Sequence, residues 1–183
     1  VPLDGKFTVT GTSVKSRLHS VPACQKIVKK AIVEKLKEFY DVETFPETGA
    51  QYTVKVTILK DRVTLTIDTS GAGLHKRGYR QADVAAPIKE TLAAALVQLS
   101  FWKAGRILVD PCCGSGTIPI EAAMIGRNIA PGLNRSFACE EWELIEKDIW
   151  REEKKAAFQA IDYNAELEIY GYDINGRAVR AAM

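Results

Sequence analysis

The sequence predicts an α/β protein with a small α+β domain at residues 1–80 and a parallel-sheet domain at residues 81–183. Two observations support this prediction. In the first domain, a helical pattern is followed by two alternating runs, which is typical of a helix and a β-hairpin. In the second domain, an apolar run ends in an acid, passes through a glycine-containing turn and enters a helix, as at the start of a βαβ unit. Ligands bind such sheets at the carboxyl ends of the strands.

The composition excludes several classes of protein. Hydrophobic residues make up 46% of the 183 residues, which is normal for a globular chain. No apolar run approaches the roughly 20 residues of a membrane span, and no signal peptide precedes the first strand, so we expect no membrane partner. The cysteines, Cys24, Cys112, Cys113 and Cys139, show no metal-ligand spacing. We therefore expect no metal site and a reduced, cytoplasmic protein.

The net charge of +2 conceals an uneven distribution along the chain. Residues 1–103 carry 16 Lys and Arg against 10 Asp and Glu, whereas residues 104–183 carry 9 against 13. A basic first half is typical of a polyanion-binding module joined to a catalytic domain. Chance surface charge explains the counts equally well.

The first domain is predicted to contain three strands and one helix. Lys6–Thr12 alternates as a half-buried strand does. Ser20 is a candidate N-cap with Pro22 in the first turn, so a helix is expected up to Tyr40. The alternating run at residues 51–59, the turn at residues 60–62 and the run at residues 63–67 predict an antiparallel hairpin.

Cations cluster at two places in the basic half, and we interpret both as RNA-binding. One is a helix face, and the other is the end of the glycine-containing loop at residues 68–80, where an aromatic residue joins the cations. Arginine forks and aromatic rings suit phosphates and unstacked bases of single-stranded RNA. The candidates are Lys26, Lys29, Lys30, Lys76, Arg77, Tyr79 and Arg80. Alternatively, the lysine face is merely solvated, and Arg77 and Arg80 are structural residues that pair with carboxylates.

The loop Val109–Thr117 is the most informative stretch of the sequence. It does not match the Walker-type phosphate loop, because Thr117 rather than Lys follows Gly116. It does not match the dinucleotide fingerprint either, because Pro119 occupies the position of the third glycine. A tight strand-to-helix turn, with glycines needed only for its geometry, is the structural alternative to a ligand loop.

The string Asp-Pro-x-Cys-Gly-Ser-Gly-Thr at residues 110–117 resembles the first motif of class I S-adenosylmethionine-dependent methyltransferases that act on nucleic-acid bases. The resemblance implies a Rossmann-like domain whose loop wraps the methionine part of S-adenosylmethionine. An acid such as Asp110 suits the ammonium group of this cofactor, which has no phosphate that would need a lysine. The implied cofactor-binding residues are Asp110, Pro111, Cys112, Gly114, Ser115, Gly116 and Thr117.

A second acid-terminated run, at residues 168–173, resembles the second motif of the same family. The resemblance assigns Asp173 to the ribose hydroxyls of the cofactor. The alternative is that Asp173 only caps the next helix. Around these motifs we expect a core helix at residues 87–101 with a buried stripe of Leu92, Ala95, Leu96 and Leu99. The region 142–165 is expected to be mostly helical, with Trp150 and Phe158 as anchors.

The string Leu-His-Lys-Arg-Gly-Tyr-Arg at residues 74–80, with the Ala/Leu-rich run after it, resembles the junction in THUMP-domain RNA guanine-N2 methyltransferases. The bacterial members that act on large-subunit ribosomal RNA match best, and they are often labelled N6-adenine-specific DNA methylases. The resemblance covers residues 50–180 well and implies methylation of guanine N2 in ribosomal RNA. A DNA adenine-N6 methyltransferase and a non-catalytic nucleic-acid-binding module are the alternatives.

The catalytic Asn/Asp-Pro-Pro-Tyr/Phe string of nitrogen methyltransferases does not occur in the sequence. Such a string orients the target amino group and stacks the flipped base. Only two of the roughly seven strands of a class I methyltransferase domain are predicted, and a parallel sheet must be covered on both faces. We therefore expect an incomplete methyltransferase domain, a longer protein, and catalytic residues outside this chain.

Overall fold

A computed structural model describes residues 1–80 and 88–183. The described residues form two units. The first contains Val1–Ala72 and Phe137–Ile145, and the second contains Gly73–Ser136 and Glu146–Met183. The predicted domain boundary between residues 80 and 81 adjoins the undescribed segment 81–87, and it stays a prediction.

The first unit is a three-stranded sheet with one long helix. It consists of β1 (Lys6–Val14), α1 (Val21–Tyr40), β2 (Gln51–Leu59) and β3 (Arg62–Asp68), with sheet order β1-β2-β3. Strand β1 is parallel to β2, as a helical crossover permits, and β2 is antiparallel to β3. Lys60 and Asp61 form the tight turn with positive φ of 50° and 62°. The predicted strand, helix and hairpin are all confirmed.

The core of the first unit lies on one face of the central strand. Tyr52, Val54, Val56 and Ile58 alternate along β2 and are all buried. Their cross-strand neighbours on β3 share that face but are exposed, and no residue of α1 is fully buried. The core is therefore centred on β2, and it also includes the buried Phe7 of β1.

A segment from much later in the chain completes this core. Ala138–Glu141 forms a 3₁₀ helix, and Trp142 after it is buried. The Trp142 ring stacks on Tyr52 with centroids 4.8 Å apart, and its Nε1 donates a hydrogen bond to the Gln51 carbonyl at 3.0 Å. The prediction that Phe158 is an anchor is wrong, because this residue, which lies in the second unit, is 57% exposed.

The described residues of the second unit form two parallel strands and four helices. Strand β4 (Leu108–Asp110) pairs in parallel with β5 (Ile169–Gly171), which confirms the predicted parallel strands. The helices are α2 (Glu90–Leu99), α3 (Thr117–Gly126), α4 (Lys147–Gln159) and α5 (Gly176–Ala182). The predicted helix start at Pro87 lies outside the described residues. Among the described helices, none is long and apolar enough to cross a membrane.

The predicted buried stripe of α2 is wrong. Leu92, Leu96 and Leu99 are 53%, 45% and 73% exposed, whereas Ala93 and Val97 are 0% and 2% exposed. Helix α2 packs against α3, where Ala122 is also fully buried. Small residues such as Ala93 and Ala122 let two helix backbones approach closely, and the side of α2 that carries Ala93 and Val97 faces inward.

The apolar run before the glycine loop is less buried than expected. Ile107 is 63% and Val109 is 55% exposed. Successive side chains of a strand point to opposite faces. Val109 therefore lies on the face of β4 that, in the part of the chain that the structure describes, is open to solvent.

Candidate functional site

The carboxyl ends of β4 and β5 lie side by side and are joined by backbone hydrogen bonds. Tyr172 N donates to the Asp110 carbonyl, and Cys113 N donates to the Tyr172 carbonyl, both at 2.8 Å. These bonds continue the parallel pairing beyond the strands and bring the glycine loop against the segment that follows β5. The two acid-terminated motifs of the sequence therefore meet at one edge of the sheet.

Asp173 ties the two motifs together with its side chain. Its Oδ1 accepts a hydrogen bond from Asn175 N at 2.7 Å, and its Oδ2 accepts one from Gly114 N at 2.8 Å. These two amides, with Asn175 the larger cause, hold the pKa of Asp173 below its usual range. The carboxylate is thus ionised at neutral pH. Each oxygen retains a second acceptor position, because a carboxylate accepts about four hydrogen bonds.

The next helix has its own capping residue. The Asn175 side chain accepts hydrogen bonds from Arg177 N at 3.0 Å and Ala178 N at 3.4 Å at the start of α5. These are the bonds of an N-cap residue. The contacts therefore do not favour the alternative that Asp173 serves only as the cap of this helix.

Both loop glycines adopt the left-handed conformation that disfavours other residues. Gly114 has φ of 55°, and a Cβ added there would meet open space. Gly116 has φ of 74° and is the N-cap of α3, and a Cβ there would lie 2.7 Å from Ala182 Cβ. The open side of Gly114 is what a ligand needs in order to approach the backbone.

Several loop groups are already used within the loop. Gly116 N donates to the Cys113 carbonyl at 2.8 Å, and Asp110 Oδ1 accepts from Cys112 N at 3.1 Å. Together with the Gly114–Asp173 bond, this occupies the backbone donors of Cys112, Gly114 and Gly116, three amides that a ligand in the loop would otherwise meet free. Pro111 and Cys112 are exposed.

Cys113 is close enough to both acids of the site for their charges to act on its thiol. Burial raises the pKa of its thiol, and the carboxylates of Asp110 and Asp173 raise it further. The thiol is therefore protonated at neutral pH and is no nucleophile. The same carboxylates make this edge of the sheet negative, which suits a cationic ligand.

Within the second unit, the segment before α2 is anchored to α3 through the buried carboxylate of Glu121. Arg77 Nε and Nη2 donate to the two oxygens of Glu121, each at 3.3 Å, and Tyr79 OH donates to Glu121 Oε1 at 3.1 Å. Glu121 is 2% exposed. Burial and the Glu121 carboxylate raise the pKa of Tyr79 far above its ordinary value. Gly78 permits this course, because a Cβ there would clash with the Asn134 carbonyl.

Arg80 connects the same segment to the glycine loop. Its Nε donates to Glu90 Oε1 at 3.0 Å, its Nη1 to Ser115 Oγ at 2.9 Å and its Nη2 to Thr117 Oγ1 at 3.0 Å. Glu90 and Thr117 are both buried. One guanidinium group thus joins the first turn of α2 to two hydroxyls of the loop. The sequence suggested carboxylate partners for Arg77 and Arg80 but did not identify Glu90, Glu121 or the two hydroxyls.

The predicted RNA-binding residues fall into two groups. Lys26, Lys29 and Lys30 are exposed on α1 in the first unit, and Lys29 Nζ lies 5.6 Å from the centroid of the Phe7 ring. Lys76 is exposed in the second unit, where it lines a cleft of about 440 Å³ with His75 and Lys89. The side chains of Arg77, Tyr79 and Arg80 are committed to internal partners. For Arg77 and Arg80 the contacts favour the structural alternative, and Tyr79 shares the partner of Arg77.

Among the described residues, no group of three or more His, Cys, Asp and Glu side chains could hold a metal ion. What the second unit assembles is a glycine loop, two carboxylates at adjacent strand ends, and a buried ion-pair network behind the loop. Such a site can hold a polar, positively charged ligand with hydroxyl groups. The loop at residues 109–117 contains no lysine for a phosphate.

Comparison with known families identifies both parts of the chain. Residues 1–68 match the THUMP domain, and residues 77–183 match the domain described as "RMKL-like, methyltransferase domain". The chain belongs to the RMKL-like methyltransferase family. The prediction of a class I methyltransferase fold preceded by a THUMP domain is thereby confirmed.

Two relatives and one solved structure agree with this assignment. The chain is 55% identical over its whole length to the Bacillus subtilis protein named "Putative RNA methyltransferase YpsC", of which it covers 48%. It is 33% identical, over 98% of its length, to "Ribosomal RNA large subunit methyltransferase K/L" of Psychromonas ingrahamii, of which it covers 25%. The structure titled "SMU.472, a putative methyltransferase complexed with SAH" superposes with a TM-score of 0.92 at 46% identity, over all of this chain and 48% of that one. This RMKL-like chain thus spans half or less of the length of these relatives.

Proposed function

We propose that the protein containing this chain is a cytoplasmic RNA methyltransferase that transfers a methyl group from S-adenosylmethionine to guanine N2 of large-subunit ribosomal RNA. The observation that carries the proposal is the junction at the strand ends, where Asp173 accepts a hydrogen bond from Gly114 of the glycine loop. Relatives named as RNA methyltransferases, and a homologous structure titled as an SAH complex, support it.

The residues at the junction fit S-adenosylmethionine. The cofactor carries an ammonium group, a positively charged sulfur and two ribose hydroxyls, but no phosphate. The carboxylates of Asp110 and Asp173 provide negative charge and hydrogen-bond acceptors, and the open side of Gly114 lets a ligand approach the backbone. When bound, the cofactor supplies a methyl group on a sulfonium that a base nitrogen can accept.

In this proposal the loop and Asp173 bind different parts of the cofactor. Asp110 faces the ammonium group and Asp173 accepts from the ribose hydroxyls through its remaining acceptor positions. The other cofactor-binding candidates, Pro111, Cys112, Gly114, Ser115, Gly116 and Thr117, shape the loop around the methionine part. The protonated Cys113 thiol does not compete with the base nitrogen for the methyl group.

RNA is the proposed substrate because of the THUMP domain and the names of the relatives. The exposed lysines of α1, Lys26, Lys29 and Lys30, are the proposed phosphate contacts of the first unit, and Lys76 is that of the second. The relative named as a ribosomal RNA large subunit methyltransferase is what favours ribosomal RNA over other RNA.

Methyl transfer by the full-length protein tests this proposal. Large-subunit ribosomal RNA from a strain that lacks the gene is incubated with tritiated S-adenosylmethionine, digested and analysed as nucleosides. We expect label in N2-methylguanosine. Label in N6-methyldeoxyadenosine of a DNA substrate incubated in parallel, with none in RNA, would support the DNA methyltransferase alternative. Absence of label from both substrates, with cofactor binding intact, would support a non-catalytic binding module.

A further inference from the structure

Arg80 holds two residues that flank a conformationally free glycine. Ser115 and Thr117 lie on either side of Gly116, and both of their hydroxyls accept from the Arg80 guanidinium, at 2.9 and 3.0 Å. Glycine populates positive φ about as readily as negative φ, so the sequence alone does not fix this turn. The guanidinium closes a bridge across Gly116 and restrains its φ near the observed 74°.

Glu90 fixes the guanidinium in turn. Its Oε1 accepts from Arg80 Nε at 3.0 Å, and the Glu90 side chain is only 8% exposed. A buried carboxylate and a planar guanidinium form a strong, directional pair. Glu90 therefore sets the plane in which Nη1 and Nη2 of Arg80 meet the hydroxyls of Ser115 and Thr117.

Only arginine offers this geometry. Its N–H groups project from one rigid plane, whereas a lysine ammonium is a point charge on a flexible stem. A lysine at position 80 could pair with Glu90, but it could not also hold both hydroxyls in one fixed arrangement. Arg80, Glu90, Ser115 and Thr117 all belong to the second unit.

We infer that Arg80 is a positioning residue for the cofactor: by bridging Ser115 and Thr117 from Glu90, it holds the glycine loop in the conformation that binds S-adenosylmethionine. The inference rests on the proposed function. It assigns to Arg80 a role in cofactor affinity rather than a contact with RNA phosphate. The loop then pays less ordering entropy when the ligand binds, because it is already ordered.

Calorimetry with S-adenosylhomocysteine and the full-length protein tests the inference. Arg80→Lys should raise the Kd about tenfold, because the loop then has to be ordered when the ligand binds. Arg151→Lys is the matched control, because Arg151 pairs with Asp148 at 3.1 Å on the exposed surface of α4. The control should bind as the unchanged protein does. An unchanged Kd in folded Arg80→Lys would overturn the inference.

A double-mutant cycle separates positioning from general stability. In the Ser115→Ala/Thr117→Val background the hydroxyls are gone, so Arg80→Lys should add no further loss of affinity. A full additional loss there would show that Arg80 acts by another route. If Arg80→Lys does not fold, Ser115→Ala alone serves, since it leaves the Arg80–Glu90 pair intact. It should raise the Kd severalfold without a change in Tm, and an unchanged Kd would contradict the inference.

Steady-state kinetics and one further variant complete the test. Arg80→Lys should raise KM for S-adenosylmethionine while kcat at saturating cofactor stays unchanged, because the restraint acts on binding. A lower kcat with unchanged KM would contradict positioning. Asp173→Ala, measured in parallel, should weaken S-adenosylhomocysteine binding by about ten- to a hundredfold. If both variants bind normally, the proposed cofactor site is wrong; if Asp173→Ala alone weakens binding, only the inference about Arg80 fails.

Discussion

At the scale of single residues, the chemistry of the site depends on a few carboxylates whose partners lie far away in sequence. Asp173 and the glycine loop were predicted as separate motifs, because each has a local signature. The bond between Asp173 and Gly114 joins positions 59 residues apart, and no local pattern encodes it. The sequence contains a weak indication that Glu121 has a specific role, because it is the one charged residue of the apolar helix α3. Its partners Arg77 and Tyr79 could be recognised only in three dimensions.

Glu121 gives the first stability prediction. Replacing it with Ala leaves the Arg77 guanidinium, 11% exposed, without its carboxylate. Removing one partner of a buried ion pair costs about 3–5 kcal/mol, because the remaining charge stays desolvated. We expect Glu121→Ala to lower the free energy of unfolding by that amount in urea titrations.

The matched control for Glu121→Ala is an exposed ion pair of the same unit. Asp148 and Arg151 pair at 3.1 Å with side chains 70% and 76% exposed. Asp148→Ala should change the unfolding free energy by less than about 1 kcal/mol, as exposed pairs contribute little. Equal losses in the two variants would show that the Arg77–Glu121–Tyr79 network does not stabilise the second unit.

At the scale of elements, strands with strict alternation were predicted accurately and alanine-rich helices were not. The alternation of Tyr52, Val54, Val56 and Ile58 specifies which face of β2 is buried, because a one-residue slip would expose the whole set. Helix α2 is apolar nearly all round, so its periodicity does not define an inner face. The leucines suggested one side, and the helix instead buries the side that carries Ala93 and Val97.

The second prediction concerns the binding of RNA by the lysines of helix α1. If Lys26, Lys29 and Lys30 contact phosphates, binding should weaken with salt by about 0.7 log units per log unit of salt for each neutralised phosphate. Changing all three to Ala should flatten the slope by about 2. The measurement is RNA affinity of the full-length protein across a salt series.

Two lysines on the same helix provide the control for this series. Lys35 and Lys37 already pair with Glu38 and Glu43, at 2.9 and 3.0 Å. Their replacement with Ala should change the salt slope less than the replacement of Lys26, Lys29 and Lys30 does. The Arg77→Ala/Arg80→Ala variant is expected to lower Tm without altering the slope, because both side chains have internal partners. A slope that stays unchanged in the three-lysine variant would exclude α1 from the RNA interface.

At the scale of the whole molecule, the division into units does not follow the order of the chain. Phe137–Ile145 belongs with the first unit, although residues of the second unit precede and follow it. Trp142 contacts Gln51 across 91 positions of sequence. A single aromatic residue outside any periodic run carries no local information about such a partner, so the sequence indicated Trp150 and Phe158 instead.

The open faces of the two-stranded sheet give the last prediction, for residues 1–183 produced alone. Ile107, Val109, Tyr170 and Tyr172 are each about half exposed or more, and the sequence has no Asn/Asp-Pro-Pro-Tyr/Phe string to orient a target base. We therefore expect no methyl transfer to RNA from tritiated S-adenosylmethionine by the isolated chain. Its short parallel strands leave edges that pair readily with another chain, so light scattering should show self-association that increases with concentration. Activity comparable to that of the full-length protein would show that residues 1–183 contain the catalytic groups. A monodisperse monomer at high concentration would show that the sheet edges are protected.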